Sequence, residues 1–94
     1  MNEKAANAAA QTNLKNAYKE CSYAQNMGQS LVFTELTADT YFTYTSGTSC
    51  GTAASPTTIT ATTTSSHSAG ANKTITISAF DGTKGGTGIT GITW

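Results

Sequence analysis

The sequence predicts an α+β fold, a long N-terminal α-helix packed on a four-stranded antiparallel β-sheet as a simple roll. Two observations predict it. Residues Asn2 to Met27 (NEKAANAAAQTNLKNAYKECSYAQNM) are rich in strong helix formers and contain neither glycine nor proline, whereas all nine glycines and the one proline lie further on. Beyond residue 40, short runs of β-branched and aromatic residues alternate in polarity between turn-forming clusters, the pattern of strands with one wet face. Ninety-four residues make a single domain, 1–94, with a modest core. It divides into a helix over 2–27, a connector over 28–40 and a β-meander over 41–94.

The helix has start and stop signals. Asn2 is an N-cap residue type, Glu3 puts a carboxylate where the helix dipole favours it, and Gly28 stands where a left-handed C-cap belongs. At 1.5 Å per residue the element is about 38 Å long. Ala6, Ala10, Leu14, Ala17, Cys21 and Ala24 recur at steps of four and three and form one stripe, with Tyr18 on its shoulder. Small residues dominate the N-terminal half of that stripe. Two readings follow: a solvated, fraying helix start, or a face that packs against something outside this chain. The composition directly after Met1 is that of a helix interior, so a longer helix is expected upstream.

Gln29 to Thr40 carries the apolar cluster Leu31, Val32, Phe33 and Leu36, expected either to lie on the helix as a loop or to form a short strand or helical turn. Tyr41–Thr45 is the first expected strand, and Ser46–Pro56 a small-residue loop holding Cys50. Thr57–Thr64 and Lys73–Phe80 are the second and third strands, joined by a turn over Ser65–Asn72. Asp81–Gly88 reads as a Gly-rich turn, and Ile89–Trp94 as a short fourth strand with Gly91 at a bulge or edge. Ile59, Ile75, Ile77, Ala79 and Ile89 then face the helix, to be met by Leu14, Tyr18 and Met27.

Composition narrows function. Five lysines balance five carboxylates, and only 11% of residues are charged, which leaves bulk attraction to nucleic acid or anionic membranes without support. Polarity comes instead from Thr, Ser, Gly and Asn, as on extracellular β-rich surfaces. Cys21 and Cys50 do not form a CxxC pair, and with His67 alone beside them they make no ordinary metal site. Their expected state is a disulfide from the helix to the segment after the first strand, which implies an oxidising compartment. No run of 18 apolar residues is present.

No catalytic constellation and no cofactor motif stands out. Gly82–Gly88 with Lys84 lacks the Gly-Lys-Ser/Thr order of a phosphate loop and reads as a hairpin loop. His67, in a Ser-rich turn without a fixed acid, reads as an exposed turn histidine. Asn72-Lys73-Thr74 matches an N-glycosylation acceptor, a match that arises easily in a Thr-rich chain. Lys73, Lys84 and Trp94, with Tyr41, Tyr44 and Phe80, are candidates for a basic-aromatic ligand patch for single strands or glycans, weighed against burial of several of these rings.

The stretch AANAAAQTNLKNAYKECSYAQ, Ala5 to Gln25, resembles the amphipathic second half of the helix of type IV pilins, where Ala-rich turns with scattered Asn and Lys lead into a Tyr-bearing stretch. The apolar connector and Thr-rich meander follow in that family's order. The likeness covers the whole chain in architecture and about its first quarter in sequence texture. The family's prepilin cleavage and membrane-span segment is not among these residues. The resemblance implies a structural subunit of an extracellular type IV pilus or related filament. Its partners would be other pilin subunits, with membrane contact only through a preceding apolar half-helix, in the inner membrane before assembly. It also admits a minor pilin binding surfaces or DNA, or a type II secretion pseudopilin. The family commonly places its disulfide near the C-terminus, unlike Cys21 and Cys50 here. Pseudopilins often hold calcium with several carboxylates in a C-terminal loop, where this chain offers Asp81, so no metal is expected. The resemblance further implies an assembly face at Ala6, Ala10 and Leu14, at which a bulky charge would spare folding and block filament formation.

Overall fold

The computed structural model describes residues 3–45, 47–86 and 88–94; the Asn2 N-cap expectation lies outside them. Helix α1 spans Glu3–Met27. Its 25 residues make a rod about 37 Å long at 1.5 Å each, against a molecule measuring 41 × 20 × 18 Å. The helix therefore runs nearly the full length of the protein. Gly28 ends it with φ 66°. The Gly28 amide donates to the Gln25 carbonyl (3.3 Å) and that of Gln29 to Ala24 (2.9 Å), the paired bonds of a Schellman cap.

Four antiparallel strands follow in the spatial order of the chain: β1 Phe42–Tyr44, β2 Thr58–Thr63, β3 Thr74–Ser78 and β4 Lys84–Gly85. In β2 and β3 the register sets Ile59 opposite Ile77 and Ala61 opposite Ile75, so the apolar positions share one face. The threonines between them occupy the other. That face packs on α1 mainly through β2 and β3. Leu14, Cys21, Phe42, Ile59, Ile75 and Ile77 are its largest buried members. The expected sheet face is thus the observed one. Met27, expected to meet it, is instead 57% exposed beyond the end of the sheet.

The fourth strand differs from expectation. It forms within the stretch read as a turn, and Ile89–Trp94 is not a strand. Positive φ at Gly86, Gly88 and Gly91 breaks the extended run, and the Ile92 amide turns back to the Ile89 carbonyl (3.1 Å). Residues 88–94 become a strap against the helix. Asn7 Nδ2 donates to the Thr90 carbonyl (3.3 Å) and Gln11 Nε2 to that of Thr93 (2.8 Å). Trp94 Nε1 donates to the Thr76 carbonyl (2.7 Å), and Ile89 is the strap's buried residue.

The connector is a loop laid on the helix. Its Val32 forms an isolated antiparallel bridge with Ser49, Phe33 is buried, and Glu20 Oε1 accepts from both the amide (2.7 Å) and the hydroxyl (2.9 Å) of Thr34. The Cys21–Cys50 disulfide ties this arrangement to α1, with both cysteines fully buried.

Burial also reverses the expected tolerance of the small-residue stripe. Ala6 is 7% exposed, while Ala10 and Leu14 are wholly inaccessible, packed within the domain's own core. Ala10→Glu should therefore destabilise the domain by at least about 3 kcal/mol, since a carboxylate there has neither room nor a partner. Ala9→Glu, on the exposed side, should change stability by less than about 0.5 kcal/mol. Urea denaturation of the two variants checks this, and equal loss in both would contradict the packing. Cys21→Ser with Cys50→Ser, which opens a link between residues 29 apart, should cost about 3–4 kcal/mol in the same assay.

Candidate functional surface

Three side-chain groupings hold the positions that sequence reasoning singled out. The first surrounds His67, which is buried, not exposed as expected of a turn histidine. Its Nδ1 accepts from the Ala69 amide (3.0 Å), so the proton sits on Nε2, which donates to Asn7 Oδ1 (2.7 Å). The ring lies edge-on to Phe42, with centroids 5.3 Å apart. Glu3 accepts from the amide and hydroxyl of Ser68, and its Oε2 is 3.9 Å from His67 Nδ1. These bonds hold the first turn of α1 to the β2–β3 turn, and through Asn7 to the strap. The Ser68 hydroxyl points to Glu3, not to the imidazole, so the neighbours do not form a Ser–His dyad. A histidine flanked in space by Tyr41 and Phe42, which stand 26 and 25 residues before it in sequence, leaves no local signal of burial.

The second grouping is cationic and aromatic. Lys84 Nζ lies 5.0 Å from the Trp94 ring centroid and Lys15 Nζ 5.7 Å from it, within cation–π range. The indole N–H on Thr76 fixes the ring. Lys84 and Trp94 thus meet as the sequence reading supposed. Lys73 sits at the other end of β3, next to the β2–β3 turn, and takes no part in this cluster. Lys15 does, and was missed. Its spacing from Asn7 and Gln11, at steps of four, places all three along the flank that carries the strap.

The third is the helix itself. Ala6, Ala10 and Leu14 face inwards, while Ala5, Ala8 and Ala9 face out. Three recesses border α1. Ala5 and Ala9 meet Asp39 and Tyr41 in one of about 390 Å³. Glu20 and Glu35 line a second, a groove of about 270 Å³ beside the connector, and Lys19, Tyr23 and Val32 a third that shares Glu20 with it. Tyr23 and Val32 are each more than half exposed there.

Each sheet edge carries a feature that hinders strand addition. The Thr45 amide donates to Thr60 and the Tyr41 carbonyl accepts from Thr64, so Phe42 turns its amide and carbonyl outward. Asp39 meets both: its Oδ1 accepts from the Phe42 amide (2.8 Å) and its own amide donates to the Phe42 carbonyl (2.9 Å). At the other edge β4 is two residues long and bears Lys84, features that discourage strand addition.

Among the described residues no three His, Cys, Asp or Glu side chains cluster as metal ligands, and no helix is long and apolar enough to cross a membrane. No protein-family model matches the chain, and neither a curated protein nor a solved structure matches it.

Hydrogen bonds from the Ser68 hydroxyl and then the Ser68 amide hold the Glu3 carboxyl below its ordinary value near 4.5. The Thr83 amide, followed by its hydroxyl, does the same for Asp81. A carboxylate with a depressed folded pKa stabilises the fold above its unfolded value, and that contribution is lost as pH falls through the folded value. Thermal melts of the wild type should therefore decline from about pH 4.5 downward. Glu3→Gln should melt lower at pH 7 and show a shallower decline on acidification. Parallel curves for the two proteins would remove Glu3 from the account.

Proposed function

We propose that this protein is a structural subunit of an extracellular type IV pilus or a related filament. The observation that carries the reading is the helix running the length of the molecule with two unlike sides. One side is consumed by the domain's own sheet, and the other presents Ala5, Ala8 and Ala9 to solvent. Small exposed residues allow another helix to approach closely, as a filament built on helices requires. The guarded sheet edges favour assembly through the helix over strand addition. The buried disulfide supports a role outside the reducing cytosol.

On this reading the assembly face is moved by one helical position from Ala6, Ala10 and Leu14 to Ala5, Ala8 and Ala9. The full-length polypeptide would carry an apolar half-helix ahead of residue 2, anchoring the subunit in the inner membrane before assembly. A second reading, a minor pilin that captures glycans or DNA, draws on the Lys15–Trp94–Lys84 cluster. Retention on immobilised single-stranded DNA at low salt separates the two, since the structural subunit has no need to bind it.

The main test uses the full-length protein in cells that display it. Ala9→Glu and Ala5→Glu should keep the wild-type melting temperature and abolish surface filaments seen by electron microscopy of sheared fractions. The coding sequence upstream should encode a prepilin leader and an apolar helix. Wild-type filament numbers in both variants, or an upstream sequence without that helix, would count decisively against the filament reading.

A further inference from the structure

The lysines over Trp94 and the carboxylates of the connector groove lie on different sides of α1. Lys15 and Glu20 are five residues apart, which at 3.6 residues per turn is about 140° around the helix axis. Lys15 and Lys84 converge on one ring held by its N–H, and among the described residues no carboxylate approaches either ammonium within 4 Å. Across the helix, Glu35 is exposed on the groove wall, also without a cation within 4 Å among the described residues. Glu20 commits one oxygen to Thr34 and lines the same recess. Lys19 marks the end of that acidic stretch.

We infer that these two patches are partners in trans: the Lys15–Trp94–Lys84 cluster of one copy docks on the Glu20–Glu35 groove of a second copy. This rests on the filament reading above and names its lateral contact. The occupant follows from charge complementarity. The chain is neutral overall, so copies do not repel one another, and the Lys15–Lys84 pair and the Glu20–Glu35 pair stand on opposite flanks of the helix. Within one molecule the helix keeps the two patches apart. Between molecules, each copy offers one patch and receives the other. Such a heterologous contact leaves an unused patch at both ends and propagates unless it closes into a ring. The fixed indole supplies a flat surface that places two cations without further ordering, which lowers the entropic cost of docking.

The test is a charge exchange in the full-length protein, with Lys15→Glu and Glu35→Lys made singly and together. Each single variant should cut filament yield at least about tenfold, and the pair should recover to within about threefold of wild type, an interaction no single-site effect would mimic. Both positions of change are exposed, and unaltered melts confirm folding. Single variants with normal yield, or a pair no better than its parents, overturn the contact while wild-type filaments leave the filament reading standing. If the wild type forms no filaments, that reading falls, and sedimentation of the 94-residue chain decides the contact by itself. Self-association at low salt that weakens at high salt, is lost in Lys15→Glu and returns in the pair supports it. A monomer at every salt and concentration overturns it. So does salt-sensitive capture of a soluble polyanion by a cluster indifferent to Glu35→Lys.

Discussion

The structure depends on how closely a helix can lie on a sheet. Ala6, Ala10, Ala17 and Ala24 keep one side of α1 nearly smooth, with Leu14 as the single large aliphatic side chain projecting from it. The sheet supplies the missing bulk through Ile59, Ile75, Ile77 and Phe42. An alanine stripe against isoleucines buries less side-chain area per helical turn than a leucine stripe would, so its contribution to stability is correspondingly small. The close fit therefore needs other restraints to hold it. A disulfide near one end of the helix and a hydrogen-bonded cluster near the other provide them.

Those restraints are of different chemical kinds because the two ends of the rod have different neighbours. At the C-terminal end the helix meets a long connector with little regular structure, and a covalent link there restricts the unfolded chain. At the N-terminal end it meets the β2–β3 turn and the strap, both well supplied with backbone groups that need partners. Asn7 answers two of these needs at once, accepting from His67 and donating to Thr90, and so is a buried polar residue with its amide satisfied on both sides. Polar side chains thus perform at one end what sulfur performs at the other.

The legibility of the chain follows the same division. Regular elements announced themselves: the absence of Gly and Pro up to Met27, the Schellman glycine at 28, and the strict alternation Thr74-Ile75-Thr76-Ile77 are local patterns, and local patterns decided them. The two cysteines were paired by counting. What sequence could not give were contacts made between distant segments. His67 looked exposed because nothing near it in the chain is apolar; Phe42 and Tyr41, which cover it, arrive through the sheet. Ile89–Trp94 looked like a strand by composition, but glycine torsions on either side of Ile89 turned it on to the helix. Nothing near Lys15 in the chain marks it as part of a cluster, because the strap brings Trp94 to it from the far end of the sequence. The alanine stripe was read from the correct residues, and the structure buries it in the domain's own core; periodicity identifies a buried face without saying which elements bury it.

That last ambiguity has a physical origin that bears on how a small rod can assemble. A helix packed on one sheet must leave about half its circumference to solvent, and in a chain this poor in charge the exposed half cannot be defended by repulsion. Here it is defended by smallness at one end, where Ala5, Ala8 and Ala9 offer little apolar area each, and by sorted charge along its flanks. In the proposed filament, smallness would let a second helix come near, and the Lys15–Trp94–Lys84 and Glu20–Glu35 patches would set from which side and in which direction. A protein with only the first property would associate without a fixed geometry, and one with only the second would be held apart by its side chains. On the filament reading proposed above, their combination on a single exposed surface, with Asp39 capping Phe42 on one β-edge and Lys84 standing on the other, would confine association to the helix and give it a direction.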